Sequence, residues 1–393
     1  MARTPTRSPL RDPFRRAPRT PRVPRAPRRR ARHSPAALAC AVVLAVAVLA
    51  GPYAAPADAA ARPAGIPATG TGCGSTVGKV TLDTTYDPAT GRYLLADTRR
   101  GDHRTYDLAG ATTGTGTLVT DDDNVWCEGG PQAAAVDAHY VNAVVWDYYL
   151  TVHGRKGGVR PDGRGGCSRV HYGDRYQNVI WRDSCLAYGD GADPAWPPTR
   201  IDAAGYMLTQ VLVAATAGLS PYSGESAALA VATSDIFGVS AEFFADNAAD
   251  PGDYLVAERT GPDGTLTAAR HLDRPSKDGH AKDSWYPGIG STFPRDAAGP
   301  AEHFFYLLSE GSGPKVIGGV AYDSPTHDGR PVAGIGRAAA ERIWFRALTV
   351  YMTSTTNYKA ARAATLRAAA DLYGTGGAPY RAVEAAWTAV NVV

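Results

Sequence analysis

DAAGYMLTQVLVAATAGL at residues 202–219 and YSGESAALAVATSDIFG at 222–238 decide the fold of this chain. Both read as helices. Asp202 is a candidate N-cap for the first and Gly218 a candidate stop. Just ahead of them, ADPAWPPTR at 192–200 is a Pro-rich boundary. Downstream, helical patterns recur at 338–352, 358–373 and 380–390. Upstream the pattern changes. Residues 79–126 read as short strands and turns, with KVTLDTTY and RYLLAD forming a hairpin around Asp87-Pro88-Ala89-Thr90-Gly91. Residues 133–152 are the helical exception, with Val136, Tyr140, Val144 and Tyr148 on one face. A Gly-rich loop fills 154–166, and SRVHYGDRYQNVIW returns to strands. The predicted fold class is α+β in two lobes: a β-rich N-terminal domain at 79–199 and a mostly α-helical C-terminal domain at 200–393, with a cleft between them. Residues 60–78, rich in Ala, Gly and Thr at their start, are expected to be a linker.

The 393 residues carry 41 Lys+Arg and 38 Asp+Glu, a formal charge of +3 that hides an asymmetry. Residues 1–33 hold 12 Arg and one Asp, residues 36–50 are apolar throughout, and Ala57-Asp58-Ala59 is a small-residue cleavage pattern. Residues 1–59 therefore read as a basic leader and secretory signal, and the apolar run is short for a membrane span. Removing the 12 basic and two acidic residues up to Ala59 leaves 29 Lys+Arg against 36 Asp+Glu, net −7. An acidic, secreted, extracellular protein is expected, monomeric, off the membrane after cleavage, and unsuited to nucleic acid. Cys40 lies in the signal. Cys73, Cys127, Cys167 and Cys185 remain, an even number for an oxidising compartment, with three possible connectivities. The strand pair read between Cys167 and Cys185 favours that bridge, which leaves Cys73 with Cys127.

The helix pair and the segments around it resemble the secreted thermolysin-like (M4) neutral zinc metallopeptidases, most nearly those of actinobacterial type. The resemblance covers about residues 68–393. It is carried by AVDAHYVNAVVWDYY at 135–149, SRVHYGDRYQNVIWRDSC at 168–185 and SGESAALAVATSDIFG at 223–238. PSKDG at 275–279, HFFYLLSEGSG at 303–313 and ALTVYMTSTTNYKAARAATLRAAADLYG at 347–374 extend it in order. It implies the two-lobe fold just described. The family's long propeptide has no counterpart between Ala60 and Lys79.

The resemblance also places a zinc site, and here the chain departs from the family. The positions of the two zinc histidines, i and i+4 on the first helix, are Tyr206 and Gln210; the third ligand falls on Val231. The general-base glutamate is Met207, the transition-state histidine is Arg295, and the asparagine beside the third ligand is Ala230. A catalytic zinc needs three lone-pair ligands and an open position for water. Val231 has no lone pair, and Met207 cannot take a proton. The apolar volumes make sense together, since carboxylates and imidazoles without a metal would be buried without partners. The loop SPYSGES carries one residue more than the family pattern, at about Pro221. The remaining histidines of the mature chain show no i, i+4 pair, and His139 and His303 are assigned to packing.

Other positions survive. Asp235 matches the carboxylate that orients the first zinc histidine, and its expected partner here is the Tyr206 hydroxyl. Asn178 and Val179 match the edge strand that pairs with an extended peptide, Arg270 the arginine that contacts the substrate backbone, and Tyr222 a transition-state contact. Arg270 and Arg295 read first as salt-bridge residues; the alternative is that together they present two cations to an acidic peptide or a C-terminus. Asp202, Glu242, Asp250, Asp253 and Glu258 match the family's calcium cluster, and Asp121 and Asp123 a second site, so calcium is expected and zinc is not. The functional reading is a pseudopeptidase with peptides in its cleft as possible partners. The alternatives are an active zinc metalloendopeptidase with unusual ligands and a calcium-stabilised extracellular scaffold.

Overall fold

A computed structural model describes residues 65–393 except 193–197, 261–262 and 264. The leader and signal reading, and most of the Pro-rich boundary, lie outside those residues. The N-terminal half contains β1 (Ile66–Cys73), β2 (Lys79–Asp87), β3 (Arg92–Leu94), β4 (Ala96–Asp97), β5 (His103–Asp107), β6 (Thr117–Leu118), β7 (Thr120–Asp121) and β8 (Val125–Trp126). Then come α1 (Pro131–His153), β9 (Cys167–Val170), β10 (Val179–Arg182) and β11 (Cys185–Tyr188). The C-terminal half opens with α2 (Ile201–Ala215) and α3 (Gly224–Ala245). Short hairpin strands follow: β12 (Leu255–Val256), β13 (Arg259–Thr260), β14 (Leu266–Thr267) and β15 (Arg270–His271). The chain ends with α4 (Pro294–Glu310), β16 (Gly313–Ile317), β17 (Val320–Ser324), α5 (Arg337–Arg346), α6 (Tyr358–Tyr373) and α7 (Ala378–Ala389).

One sheet has the order β7-β3-β2-β1-β8; a second runs β10-β11-β9-β5-β4, with β6 on β5. The expected hairpin forms, pairing Thr85 with Leu94 and Asp87 with Arg92. The linker reading of 60–78 is corrected. β1 pairs with β2 along its whole length and in parallel with β8. Its glycines allow close approach rather than flexibility: a Cβ on Gly70 would meet the Asn124 side chain at 2.3 Å, and one on Gly72 would meet Leu82 and Val136 at 2.7 Å. Asp137 on α1 then accepts the N–H groups of Ser75, Thr76 and Val77, which anchors the turn into β2.

Both disulfides join the expected cysteines, Cys73 with Cys127 and Cys167 with Cys185. The geometry behind the second differs from the strand pair read in the sequence. β9 does not pair with β10. β11 lies between them, parallel to β9, and its first residue faces Cys167.

The C-terminal half is built around α3. It is long and apolar enough to cross a membrane, yet it is buried without a break from Ala227 to Glu242, as expected of the central helix of a globular core. α2 crosses it at paired glycines, where a Cβ on Gly205 would stand 2.9 Å from the Gly238 Cα. α2 starts without a side-chain cap, at Arg200, so Asp202 is not the N-cap; it lies in the first turn and binds elsewhere. Gly218 does serve as a stop, with φ +62° and its N–H on Val213 O. The predicted helix at 338–352 splits into α5 and a π turn at Ala347–Tyr351. All the described residues fall in one compact unit with one hydrophobic core, so the break at 199/200 is a change of texture and not a gap in packing.

Candidate functional site

Tyr206 and Gln210 lie one turn apart on α2, and Val231, Ser234 and Asp235 lie within one turn on α3. The glycine crossing brings these faces together. Gln210 Nε2 donates to Ser234 Oγ across the crossing at 2.9 Å, and Ser234 Oγ donates to Ala230 O at 2.8 Å. Tyr206, Met207, Gln210 and Val231 are all buried. The crossing is closed to solvent at these residues, and one neutral hydrogen bond, Gln210–Ser234, runs through it.

The expected Tyr206–Asp235 bond does not form. Asp235 is held by Arg270, whose Nε donates to Oδ2 at 2.7 Å and whose Nη2 donates to Oδ1. A guanidinium offers two parallel donors to both carboxylate oxygens, which a phenol cannot match. Tyr206 instead lies beneath the Arg270 guanidinium, 5.4 Å from it, and its hydroxyl has no partner. Burial, and then the charge of Asp235, raise its phenol, so it is a neutral group and a poor metal ligand. Arg270 is only 1% exposed. Burial works against its charge, but Asp235 more than offsets this and keeps it protonated.

Two α4 residues complete the cluster. Glu302 is fully buried against Asp235; burial, then Asp235, push its carboxyl well above the usual range. Arg295 lies in the first turn of α4, half-buried, its guanidinium lowered by burial and then by Arg270. Of the two readings of Arg270 and Arg295, the salt-bridge one fits Arg270. Arg270 is closed on Asp235, and Arg295 belongs to the same four-charge cluster. Glu302 was not singled out from sequence; its spacing of seven from Arg295, two helical turns on one face, is the signal that could have found it.

Tyr222 lies apart from this cluster, exposed in the turn before α3. β10 is the terminal strand of its sheet and borders α2. Val179 begins it, and Asn178 is buried beside it, its Oδ1 accepting the Val179 N–H at 2.8 Å.

A second cluster forms between the start of α2, the end of α3 and the β12–β13 segment. One carboxylate oxygen from each of Asp202, Glu242 and Glu258 lies within 4.8 Å of the others. Each of these carboxylates is tethered by one oxygen. Asp202 Oδ2 accepts Ala257 N–H at 2.6 Å, Glu242 Oε2 accepts Asp253 N–H at 3.3 Å, and Glu258 Oε1 accepts from Arg200. Their other oxygens, Asp202 Oδ1, Glu242 Oε1 and Glu258 Oε2, are buried without a partner, as is Asp250 Oδ2. Three converging carboxylates, each with an orphaned oxygen, suit a hard cation with oxygen ligands, so the residues fit calcium. Asp253 stands beside the cluster and uses Oδ1 on Leu255 N–H.

The Asp121–Asp123 pair is arranged differently. Asp121 Oδ1 accepts the N–H groups of Asp123 and Asn124, and Asp123 Oδ1 accepts that of Val125. Both carboxylates brace their own turn. Among the described residues, only Asp202, Glu242 and Glu258 converge as a metal-type group. The histidines are structural: His139 bonds Thr105 and Asp83 O, and His303 bonds Asp283 O and Ser324.

Residues 69–210 match the family model "Thermolysin metallopeptidase, catalytic domain" and residues 217–392 match "Thermolysin metallopeptidase, alpha-helical domain". The first match runs into α2, beyond the expected 199/200 division. A transglutaminase-activating metalloprotease of Streptomyces mobaraensis is 51% identical over 328 residues, covering 82% of this chain and 42% of that protein. The thermostable neutral protease NprT of Geobacillus stearothermophilus is 37% identical over 338 residues, covering 84% of this chain and 58% of that protein. The chain thus spans only about half the length of these relatives. A solved precursor of protealysin, a metalloproteinase from Serratia proteamaculans, shares the fold at 21% identity and TM-score 0.56, covering 74% of this chain and 87% of that one. On these matches, in both halves and in order, the chain belongs to the thermolysin metallopeptidase family.

Proposed function

We propose that this chain is a secreted, non-catalytic member of its family, a pseudopeptidase that holds extended peptides without cutting them. The Gln210–Ser234 hydrogen bond across the α2–α3 crossing, packed beside Val231 and Met207, carries the reading. No three lone-pair ligands meet there, and no carboxylate or imidazole stands where a base would be needed. The residues do not fit zinc. β10 supports peptide holding, because an edge strand offers backbone pairing. Calcium bound by Asp202, Glu242 and Glu258 ties α2 and α3 to the β12–β13 segment. Cysteines joined in two disulfides support an extracellular setting.

The protease names of the relatives favour the alternative, an active zinc metalloendopeptidase. Purified protein decides between them. The pseudopeptidase reading expects less than a tenth of a zinc per chain after dialysis and no casein cleavage. One zinc per chain with chelator-sensitive cleavage establishes the alternative. If neither zinc nor affinity for extended peptides is found, the chain is a calcium-stabilised scaffold.

A further inference from the structure

Arg200 lies two residues before Asp202, immediately ahead of α2, and its side chain enters the acidic cluster. A single nitrogen, Nη2, donates to Asp250 Oδ1 at 2.5 Å and to Glu258 Oε1. Asp202, Glu242, Asp250 and Glu258 are buried, and all four act on the Arg200 charge. Nη2 occupies a position from which an ion could touch both Asp250 Oδ1 and Glu258 Oε1.

One oxygen each of Asp202, Glu242 and Glu258 is left without a hydrogen-bond partner. Two oxygens on one Ca²⁺ can stand at most about 5 Å apart, twice the usual Ca–O length. Asp202, Glu242 and Glu258 meet that limit at 4.8 Å. Fully ionised, Asp202, Glu242, Asp250 and Glu258 carry four negative charges; one Ca²⁺ and the guanidinium together supply three positive ones. We propose that Arg200 is a tethered cation that takes the place of a second divalent ion, so that this cluster binds one Ca²⁺ and no more. The inference rests on the calcium reading above and goes beyond it in assigning Arg200 and the stoichiometry.

The test counts Ca²⁺ per chain in the whole protein by equilibrium dialysis with elemental analysis. Ions lost in the Asp202→Asn, Glu258→Gln double variant are assigned to the cluster. The wild type should lose one. Arg200→Gly, which removes the side chain and opens its space, should bind two at the cluster, with a steeper rise of Tm against calcium concentration. Arg200→Lys should still bind one. No cluster-bound ion in the wild type overturns the calcium reading as well as this inference. Two ions in the wild type, or one in a folded Arg200→Gly variant, overturn this inference alone. If the double variant does not fold, terbium luminescence titration of the wild type and of Arg200→Gly gives the same one-to-two comparison. Failure of Arg200→Gly to fold even in 10 mM calcium (about a thousandfold above a sensor-type Kd) also counts against it, because a second ion should replace the lost charge.

Discussion

Replacing Arg270 by leucine tests whether its guanidinium is a closed structural element held by Asp235. The side chain is 1% exposed and makes two hydrogen bonds to a carboxylate that is also 1% exposed. Leucine keeps much of the volume but strands Asp235 beside Glu302. Removing one partner of a buried ion pair costs about 3–5 kcal/mol. The lost contact with the Tyr206 ring adds roughly 0.5–2 kcal/mol. A domain is stable by only about 5–15 kcal/mol, so a third or more of the total is at stake. Urea unfolding of calcium-saturated protein at pH 7.5, followed by tryptophan fluorescence, gives the difference. Asp235→Leu should cost a similar amount. The Arg270→Leu, Asp235→Leu double variant should be more stable than either single one, because no charge is left stranded. A loss under about 1 kcal/mol for Arg270→Leu would place the guanidinium in solvent. A double variant as unstable as the sum of the singles would refute the pairing.

Three further outcomes are expected. Burial, with the nearby His139, lowers the His103 imidazole to about 3, below its ordinary value of 6.5, so the folded protein holds it neutral while the unfolded chain charges it. Its contribution is present above pH 6.5 and is lost as pH falls toward 3; His103→Gln should reduce the slope of stability against pH between 6.5 and 4 by about 1.4 kcal/mol per pH unit, measured from urea midpoints. An unchanged slope would show that His103 already charges in the folded protein. Gly205→Ala would press a Cβ to 2.9 Å from the Gly238 Cα and should cost about 1–3 kcal/mol by overpacking, read as a lower Tm. Tyr206→His, Met207→Glu, Gln210→His and Val231→Glu together should allow zinc uptake, measured by elemental analysis, while any one of them alone should not.

Much of the site was legible in the sequence because it is local to two helices. Positions i and i+4 on α2, and the run around Asp235 on α3, identify what stands where ligands would be, and a valine or methionine has the same chemistry wherever it lies. The helix pattern also followed from spacing, whereas the cysteine pairing was favoured among three possibilities through a strand pair that does not form. Charge partners did not. Asp235 had Tyr206 as its expected donor, but β15 brings Arg270 across from 35 residues away and its guanidinium binds more strongly. Asp202 looked like a helix cap, yet its carboxylate faces the cluster and accepts Ala257 N–H from 55 residues on. The Gly- and Thr-rich segment ahead of β2 looked flexible, yet it pairs with both β2 and β8. Residue type and order along the chain determined the family and the two-lobe α+β fold. Only the tertiary structure decided which buried charges neutralise one another, because strong ion pairs depend on distance in space and on burial, and neither is written in sequence order.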